Sequence, residues 1–363
     1  MLIPRALSAV DGAADRAKDA LKRRFSLWEN VRAEPLAAWG TAREVRFLGR
    51  VLDGATAGEA PSRLASARLA LRRLQSDGVP RAKVRVTLAG QRIEAEADGE
   101  GYYDAVMDLE APLAGGPWFA AETRVLDPVY SPPAPTPVLL PLPTAALGVI
   151  VDVDALGWRG SSAGRLQRRR SADTREALPG AGTLLRSLAA YGPAASGAGG
   201  RRAEPGPNPL FYVSKSPWTS RGGLAGALEA HGAPRGVLLL GGFGVAPGAL
   251  PRTGHDERTL AWLATVLGTY PALPFVIVGG REDAGTYQEA VRRHPGRVRA
   301  TLLRGTNDPR RGPDDRALER IVRDVGARGV PTRPFRTAAQ AAVAAAALGL
   351  ATPEAVGAVA RGG

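Results

Sequence analysis

Two aspartates at the end of an apolar segment are the residues of this chain best suited to chemistry. Residues 148–151 have the pattern of a buried strand, and Asp152 and Asp154 follow, one residue apart. In strand geometry these two side chains project to the same side, and Val153 points to the other. Ligands bind at the carboxyl ends of parallel strands, so one carboxylate could act as nucleophile and the other as general acid and base. The alternative is a solvated strand end without a catalytic role.

Strands and helices alternate through the second half of the chain, which predicts a parallel sheet covered by helices on both faces. Ser214 ends the second predicted strand, and Gly279 and Gly280 end the fourth. Besides the strand that ends at Asp152, strands are predicted at 210–213, 236–240, 274–278 and 297–303, and helices at 181–191, 224–231, 260–267, 286–294 and 338–350.

Short, regularly spaced strands precede this region and predict a small antiparallel β-sandwich domain over residues 31–126. Seven prolines between residues 127 and 144 predict an extended, stiff linker over 127–145 that forms neither a helix nor a central strand. The remaining residues, 146–363, form the α/β domain. The strands of the first domain are expected at 44–51, 83–88, 92–97, 102–109 and 118–126, with a helix at 62–75.

Composition restricts the classes of function. The chain lacks cysteine and has three histidines, which excludes thiolate metal sites and argues against a three-histidine zinc site. Its formal net charge of +13 suits an anionic partner, although an arginine-rich coding bias would give the same charge. No apolar run reaches the length of a membrane-spanning helix, which predicts a cytoplasmic protein. A basic amphipathic helix expected over residues 1–30 would either pack on the protein or contact an anionic membrane surface peripherally.

Several segments carry a resemblance to a known family. Residues 211–218, with Asp152 and Asp154 upstream, resemble the catalytic domain of the actin-patch type of phosphatidate phosphatases, within the haloacid-dehalogenase-like superfamily. Segments 235–240, 270–279 and 294–298 extend the similarity, and 39–41 with 48–51 are similar to the β-domain that precedes the catalytic domain in that family. The resemblance implies a haloacid-dehalogenase-like Rossmannoid parallel sheet behind the small antiparallel β-sandwich.

The resemblance also implies a mechanism. Asp152 would attack the phosphoryl group of phosphatidate or another phosphomonoester to form an aspartyl-phosphate, and Asp154 would protonate the leaving alcohol and then activate water. Ser214 would hydrogen-bond a phosphoryl oxygen, and Mg²⁺ would offset the charge between nucleophile and phosphate. Lys215 and Arg258 would bind substrate. The metal ligands expected on this basis are Asp152, Asp154, Asp283 and Glu282.

The chain departs from the family pattern at several positions. Ala155 and Leu156 replace an aspartate and a threonine, and Thr259, with Arg258 beside it, replaces a lysine. Gly279-Gly280 stands where the family has a glycine–aspartate pair that helps to hold Mg²⁺, so Glu282 or Asp283 would have to supply that oxygen ligand.

These departures leave a second class of function open. A catalytically weakened relative would bind an anionic lipid or a protein partner instead of hydrolysing a phosphate ester. A third class, nucleic-acid binding through arginine-rich surfaces such as Arg165 and 168–170, is disfavoured because the chain shows no recognisable nucleic-acid-binding motif.

Overall fold

The computed structural model describes ten parts of the 363-residue chain: residues 30–53, 77–128, 130–157, 177–192, 195–196, 202–203, 207–241, 255–305, 315–352 and 356–359. All but the last residue of the predicted N-terminal helix lies outside them. The predicted helix at 62–75 and the basic cluster of Arg165 and 168–170 also lie outside the described residues.

Eight strands of the N-terminal half are joined in one sheet. They are β1 (Val31–Gly40), β2 (Glu44–Asp53), β3 (Asp77–Gly78), β4 (Lys83–Leu88), β5 (Gln91–Glu96), β6 (Tyr102–Asp108), β7 (Trp118–Asp127) and β8 (Ala134–Leu139). The order is β3-β2-β1-β8-β7-β4-β5, and β6 also pairs with β2. The predicted strands are present and pair antiparallel, but hydrogen bonds connect them into a single sheet, so the two separate sheets of a sandwich are not confirmed.

The proline-rich stretch is part of this sheet, and the expectation that it contains no central strand is wrong. Strand β8 pairs antiparallel with β7, where Pro135 lies opposite Glu122 and Pro137 opposite Ala120. Its pairing with β1 is parallel and falls at Leu139, beyond both prolines. The missing proline N–H groups explain the tolerance. The Leu140 N–H donates toward β7, to the Pro117 carbonyl oxygen, so Pro135 and Pro137 direct their nitrogens to the opposite edge, where pairing with β1 falls only at Leu139.

The C-terminal half contains the predicted parallel sheet. Its strands are β9 (Gly148–Asp152), β12 (Leu210–Ser214), β13 (Val237–Leu240), β14 (Phe275–Gly280), β15 (Val298–Arg304) and β16 (Thr332–Phe335), in the order β13-β12-β9-β14-β15-β16. Two short strands, β10 (Ala195–Ser196) and β11 (Arg202–Ala203), pair separately. The chain runs outward from β9 to β13 and then crosses to β14 on the other side of β9. The carboxyl ends of β9 and β14 therefore flank a topological switch point, where ligands bind in such sheets.

In the described part of the chain, the helices that accompany this sheet include α1 (Ala181–Ala190), α2 (Arg221–Ala230), α3 (His255–Thr269), α4 (Ala284–Arg293), α5 (Asp315–Ala327) and α6 (Ala338–Ala347). Two short 3₁₀ turns, Trp218–Ser220 and Arg281–Asp283, precede α2 and α4. Sequence periodicity located all of these helices except α5, and it also missed β16. Among the described helices, none has the length and apolar character needed to cross a membrane.

The two sheets share a hydrophobic core. Trp39 of β1 and Trp218 both make edge-on contacts with Trp262 of α3, each with ring centroids 6.3 Å apart. The Arg221 side chain donates a hydrogen bond to the Leu36 carbonyl oxygen at 2.8 Å. The N-terminal sheet is therefore packed directly against the region that carries the two aspartates.

The similarity around residues 294–298 has a structural explanation. The Arg297 guanidinium donates hydrogen bonds to the carbonyl oxygens of Pro271, Leu267, Tyr270 and Leu273. These carbonyls lie at the carboxyl end of α3 and in the turn that leads into β14, so a single side chain fixes the entry of that strand.

Candidate active site

Asp152 is the last residue of the central strand of the parallel sheet. All five residues of β9 are buried because β12 and β14 flank it on either side, and Asp152 itself is only 3% exposed. The strand register places Asp152 opposite Val213, one residue before Ser214. The register therefore brings Asp152 and Ser214 to the same edge of the parallel sheet.

Hydrogen bonds fix the Asp152 carboxylate in one orientation. Its Oδ1 accepts from the backbone N–H groups of Asp154 at 2.9 Å and Ala155 at 3.2 Å, and its Oδ2 accepts from the Tyr287 hydroxyl at 3.0 Å. Burial, together with repulsion from Asp154 and Asp283, raises the pKa of Asp152 to about 7, and the hydrogen bonds from Tyr287 and Ala155 offset part of this rise. The carboxyl group therefore titrates near neutral pH.

Asp154 faces the end of the neighbouring strand. Its Oδ2 accepts hydrogen bonds from the Ser214 hydroxyl at 3.1 Å and from the Lys215 backbone N–H at 3.2 Å. The Ser214 Oγ in turn accepts from the Ser216 backbone N–H at 3.0 Å. Ser214 therefore orients Asp154, and its hydroxyl could turn to a phosphoryl oxygen only by giving up this hydrogen bond.

The Lys215 side chain lies between two acidic residues. Its Nζ is 2.9 Å from Asp256 Oδ1 at the start of α3 and also forms an ion pair with Asp283 Oδ1. Burial alone would lower the pKa of Lys215, but these two carboxylates outweigh burial and raise it, so the side chain stays an ammonium. Asp283 is 4% exposed, so this ion pair holds a buried carboxylate.

The other predicted residues are arranged differently. Glu282 is exposed, whereas Asp283 beside it is buried. Arg258 is half-buried in the first turn of α3, the turn that also carries Asp256, and Thr259 is buried next to it. Hydrogen bonds join Asp154 to Ser214 and to the backbone of Lys215, beside Asp152, and an ion pair joins the Lys215 side chain to Asp283.

Mg²⁺ does not fit the donor set that these side chains present. In the described part of the chain, no three His, Cys, Asp or Glu side chains are grouped in a way that could hold a metal ion. Asp283 faces an ammonium, and Gly280 offers no side chain, although a Cβ built there would lie 3.5 Å from Asp152 Oδ2. In proteins Mg²⁺ is held by one or two carboxylates together with water and substrate phosphates, and here Asp283, the carboxylate expected to complete the site, forms an ion pair with Lys215.

Two residues of the site escaped the sequence-based interpretation, Tyr287 and Asp256. The Tyr287 hydroxyl reaches Asp152 because its ring lies against Gly279, where a Cβ would come within 2.2 Å of the ring. Burial, followed by the negative charges of Asp152 and Asp283, raises the pKa of Tyr287 well above its usual value, so the hydroxyl keeps its proton. The paired glycines were a signal of close backbone approach, but the sequence did not identify the partner.

Comparison with known proteins supports the resemblance stated above. Residues 147–305 match the model of the family described as phosphatidate phosphatase APP1, catalytic domain. The chain has no match among curated proteins.

Solved structures give only distant likenesses. A carbohydrate acetylesterase from Xanthomonas citri is 13% identical, with 82% of this chain and 75% of that chain covered and a TM-score of 0.26. A β-glucuronidase from Bifidobacterium dentium is 10% identical, with 84% and 52% covered and a TM-score of 0.25.

Proposed function

We propose that this chain, whose residues 147–305 belong to the catalytic-domain family of the phosphatidate phosphatase APP1, hydrolyses a phosphomonoester of the phosphatidate type at Asp152. The observation that carries the proposal is the placement of Asp152 and Asp154 at the carboxyl end of the central parallel strand, beside Ser214. The proposal includes a haloacid-dehalogenase-like arrangement of this sheet and an aspartyl-phosphate intermediate.

In the first step, Asp152 acts as the nucleophile. Each carboxylate oxygen has two lone-pair positions, and the Tyr287 hydroxyl occupies one of those on Oδ2, which leaves the other for attack on phosphorus. The new bond joins Oδ2 to phosphorus while the bond from phosphorus to the alcohol oxygen breaks. This step needs the ionised carboxylate, so a pKa of about 7 predicts that the rate rises as the pH increases through neutrality.

Asp154 acts as the general acid in the first step and as the general base in the second. In its protonated form it gives its proton to the departing alkoxide, so that the product is a neutral alcohol. As a carboxylate it then takes a proton from the water that attacks the aspartyl-phosphate, which releases inorganic phosphate and restores Asp152. The hydrogen bonds from Ser214 and from the Lys215 backbone keep its carboxyl group beside the nucleophile.

A phosphorylated lipid is the proposed substrate, because the family is described by its action on phosphatidate. The net charge of +13 favours approach to an anionic bilayer, so peripheral association with a membrane surface forms part of the proposal. A small soluble phosphomonoester is the other substrate class that the same chemistry accommodates.

The test is phosphate release from phosphatidate vesicles and from a soluble aryl phosphate, each measured with Mg²⁺ and with a chelator. We expect the wild-type chain to release phosphate and Asp152→Asn to be at least about a thousandfold slower, since the nucleophile is removed. Asp154→Asn should lose about a hundredfold or more through loss of proton transfer.

Asp108→Asn provides the matched control, because Asp108 is an exposed carboxylate on β6 of the N-terminal sheet. It should release phosphate at the wild-type rate. Equal release by the wild-type chain and Asp152→Asn on both substrates, with or without Mg²⁺, would contradict the proposal. Retained vesicle binding in that case would support a lipid-binding relative without catalysis.

A further inference from the structure

The Lys215 ammonium lies where a positive charge is needed in this site. It is held by Asp283 on one side and by Asp256 on the other, and its backbone N–H donates to Asp154. Ion pairs with these two carboxylates hold the ammonium in place. The side chain is 32% exposed and therefore reachable by a ligand.

Asp283 is committed to this ion pair. Its side chain is 5% exposed, and a buried carboxylate needs a charged partner to stay ionised. A metal ion that recruited Asp283 would have to displace the ammonium or bind beside it against like-charge repulsion. Lys215 pairs with Oδ1 of Asp283, so a divalent cation that shared this carboxylate would lie close to the ammonium and be repelled by it.

Residue 280 is a glycine, so this position of β14 carries no carboxylate beside Asp152. Its backbone, with φ −103° and ψ 158°, suits any L-residue, so conformation does not require glycine here. A Cβ at this position would lie 3.2 Å from Ala155 Cβ and 3.5 Å from Asp152 Oδ2. A side chain is therefore nearly accommodated, and its absence leaves Asp152 without a second acidic neighbour on β14.

We infer that the Lys215 ammonium takes the place of a divalent cation in this site, so that the site binds phosphoryl oxygens without Mg²⁺. The inference rests on the proposed function, since it concerns the same phosphoryl site. It specifies that a single positive charge, fixed by ion pairs with two carboxylates, contacts the phosphoryl group.

The inference is tested by binding instead of by turnover. Inorganic phosphate would be titrated into the full chain by calorimetry, once with a chelator and once with Mg²⁺, and Mg²⁺ alone would be titrated separately. We expect the dissociation constant for phosphate to agree within twofold in the two buffers, and Mg²⁺ alone to show no saturable binding. Lys215→Met should weaken phosphate binding at least tenfold, and Lys215→Arg should bind phosphate more tightly than Lys215→Met, because arginine keeps the charge although not the geometry of the ammonium.

A reciprocal variant keeps the test decisive if removal of the lysine charge perturbs Asp283. Gly280→Asp combined with Lys215→Met places a carboxylate beside Asp152 and removes the ammonium, so it should gain saturable Mg²⁺ binding. Gly285→Asp combined with Lys215→Met is the matched control, because Gly285 is exposed with open space around its Cβ position. The control should not bind Mg²⁺.

The outcomes separate this inference from the proposed function. Phosphate binding that vanishes with chelator and returns with Mg²⁺ would overturn the role of Lys215 and leave the phosphoryl site intact. Phosphate binding by Lys215→Met equal to that of the wild-type chain would overturn it as well. Failure of the wild-type chain to bind phosphate in either buffer would overturn both the phosphoryl site and the role of Lys215.

Discussion

Removal of the Asp152 charge should stabilise the folded protein, by an amount that grows with pH. Asp152→Asn keeps the size of the side chain, and the amide oxygen can still accept from the backbone N–H groups of Asp154 and Ala155. The Tyr287 hydroxyl, which can donate or accept, can reverse its role toward the new amide. The main difference is therefore the buried negative charge.

The magnitude follows from the pKa of Asp152, which is about 7 in the folded protein against an ordinary value of 3.8. Between these two values the unfolded chain has released a proton that the folded protein keeps, so wild-type stability falls by about 1.4 kcal/mol per pH unit. The stability that the folded protein gains by keeping Asp152 protonated is fully present below pH 3.8 and is lost by about pH 7. The total loss is about 4 kcal/mol. Asp152→Asn carries no such dependence.

The assay is urea unfolding of both proteins at a series of pH values from 4 to 8.5. We expect the unfolding midpoint of Asp152→Asn to exceed that of the wild-type chain by an amount that grows steadily up to about pH 7 and is constant above it. Asp108→Asn, an exposed carboxylate on β6, should follow the wild-type chain throughout. A constant difference between Asp152→Asn and wild type across the series would refute the reasoning, since the cost of the buried charge would then be absent.

Three further substitutions test the packing around the site, each by its effect on the free energy of unfolding. Trp262→Ala removes the ring that joins the two sheets, and it should cost about 3–5 kcal/mol and lower a transition shared by both sheets. Arg297→Lys replaces a planar fork by a point charge that cannot reach four carbonyls, and it should cost about 1–3 kcal/mol. Gly279→Ala puts a Cβ within 2.2 Å of the Tyr287 ring, so it should cost about 1–3 kcal/mol and also slow phosphate release by moving the hydroxyl from Asp152.

Each of these substitutions has a matched control on an exposed position of the same kind. Val343→Ala removes an exposed apolar side chain, Arg299→Lys makes the same exchange on an exposed residue of β15, and Gly285→Ala adds a methyl group in open space. All three controls should stay within about 0.5 kcal/mol of wild type. If one sheet of Trp262→Ala unfolded at its wild-type midpoint, the shared core would be contradicted. If Arg297→Lys had the same free energy of unfolding as Arg299→Lys, the hydrogen bonds of Arg297 would be contradicted. If Gly279→Ala had the same free energy of unfolding as Gly285→Ala, the close contact between Gly279 and Tyr287 would be contradicted.

The parallel sheet was predictable because its signal is local. Each buried strand is a continuous apolar run, as in Gly148–Asp152 and Phe275–Gly280, and each ends at residues that cannot continue the pattern. The proline-rich strand β8 was not predictable on the same basis, because its prolines interrupt the apolar pattern and its second neighbour, β1, lies far from it in sequence. Strand β16 is short and contains a proline, so it carries almost no local pattern.

The site was predictable only as far as strand ends determine it. Asp152, Asp154 and Ser214 follow from the rule that parallel strands bring their carboxyl ends together. The partners of Lys215 do not, because its ion pairs depend on where α3 and the 281–283 turn lie after folding. The expectation that Asp283 binds a metal considers the carboxylate alone, whereas the fold brings the Lys215 ammonium to it. A buried carboxylate needs a cation. The sequence identifies the carboxylate but not the cation that the fold places beside it.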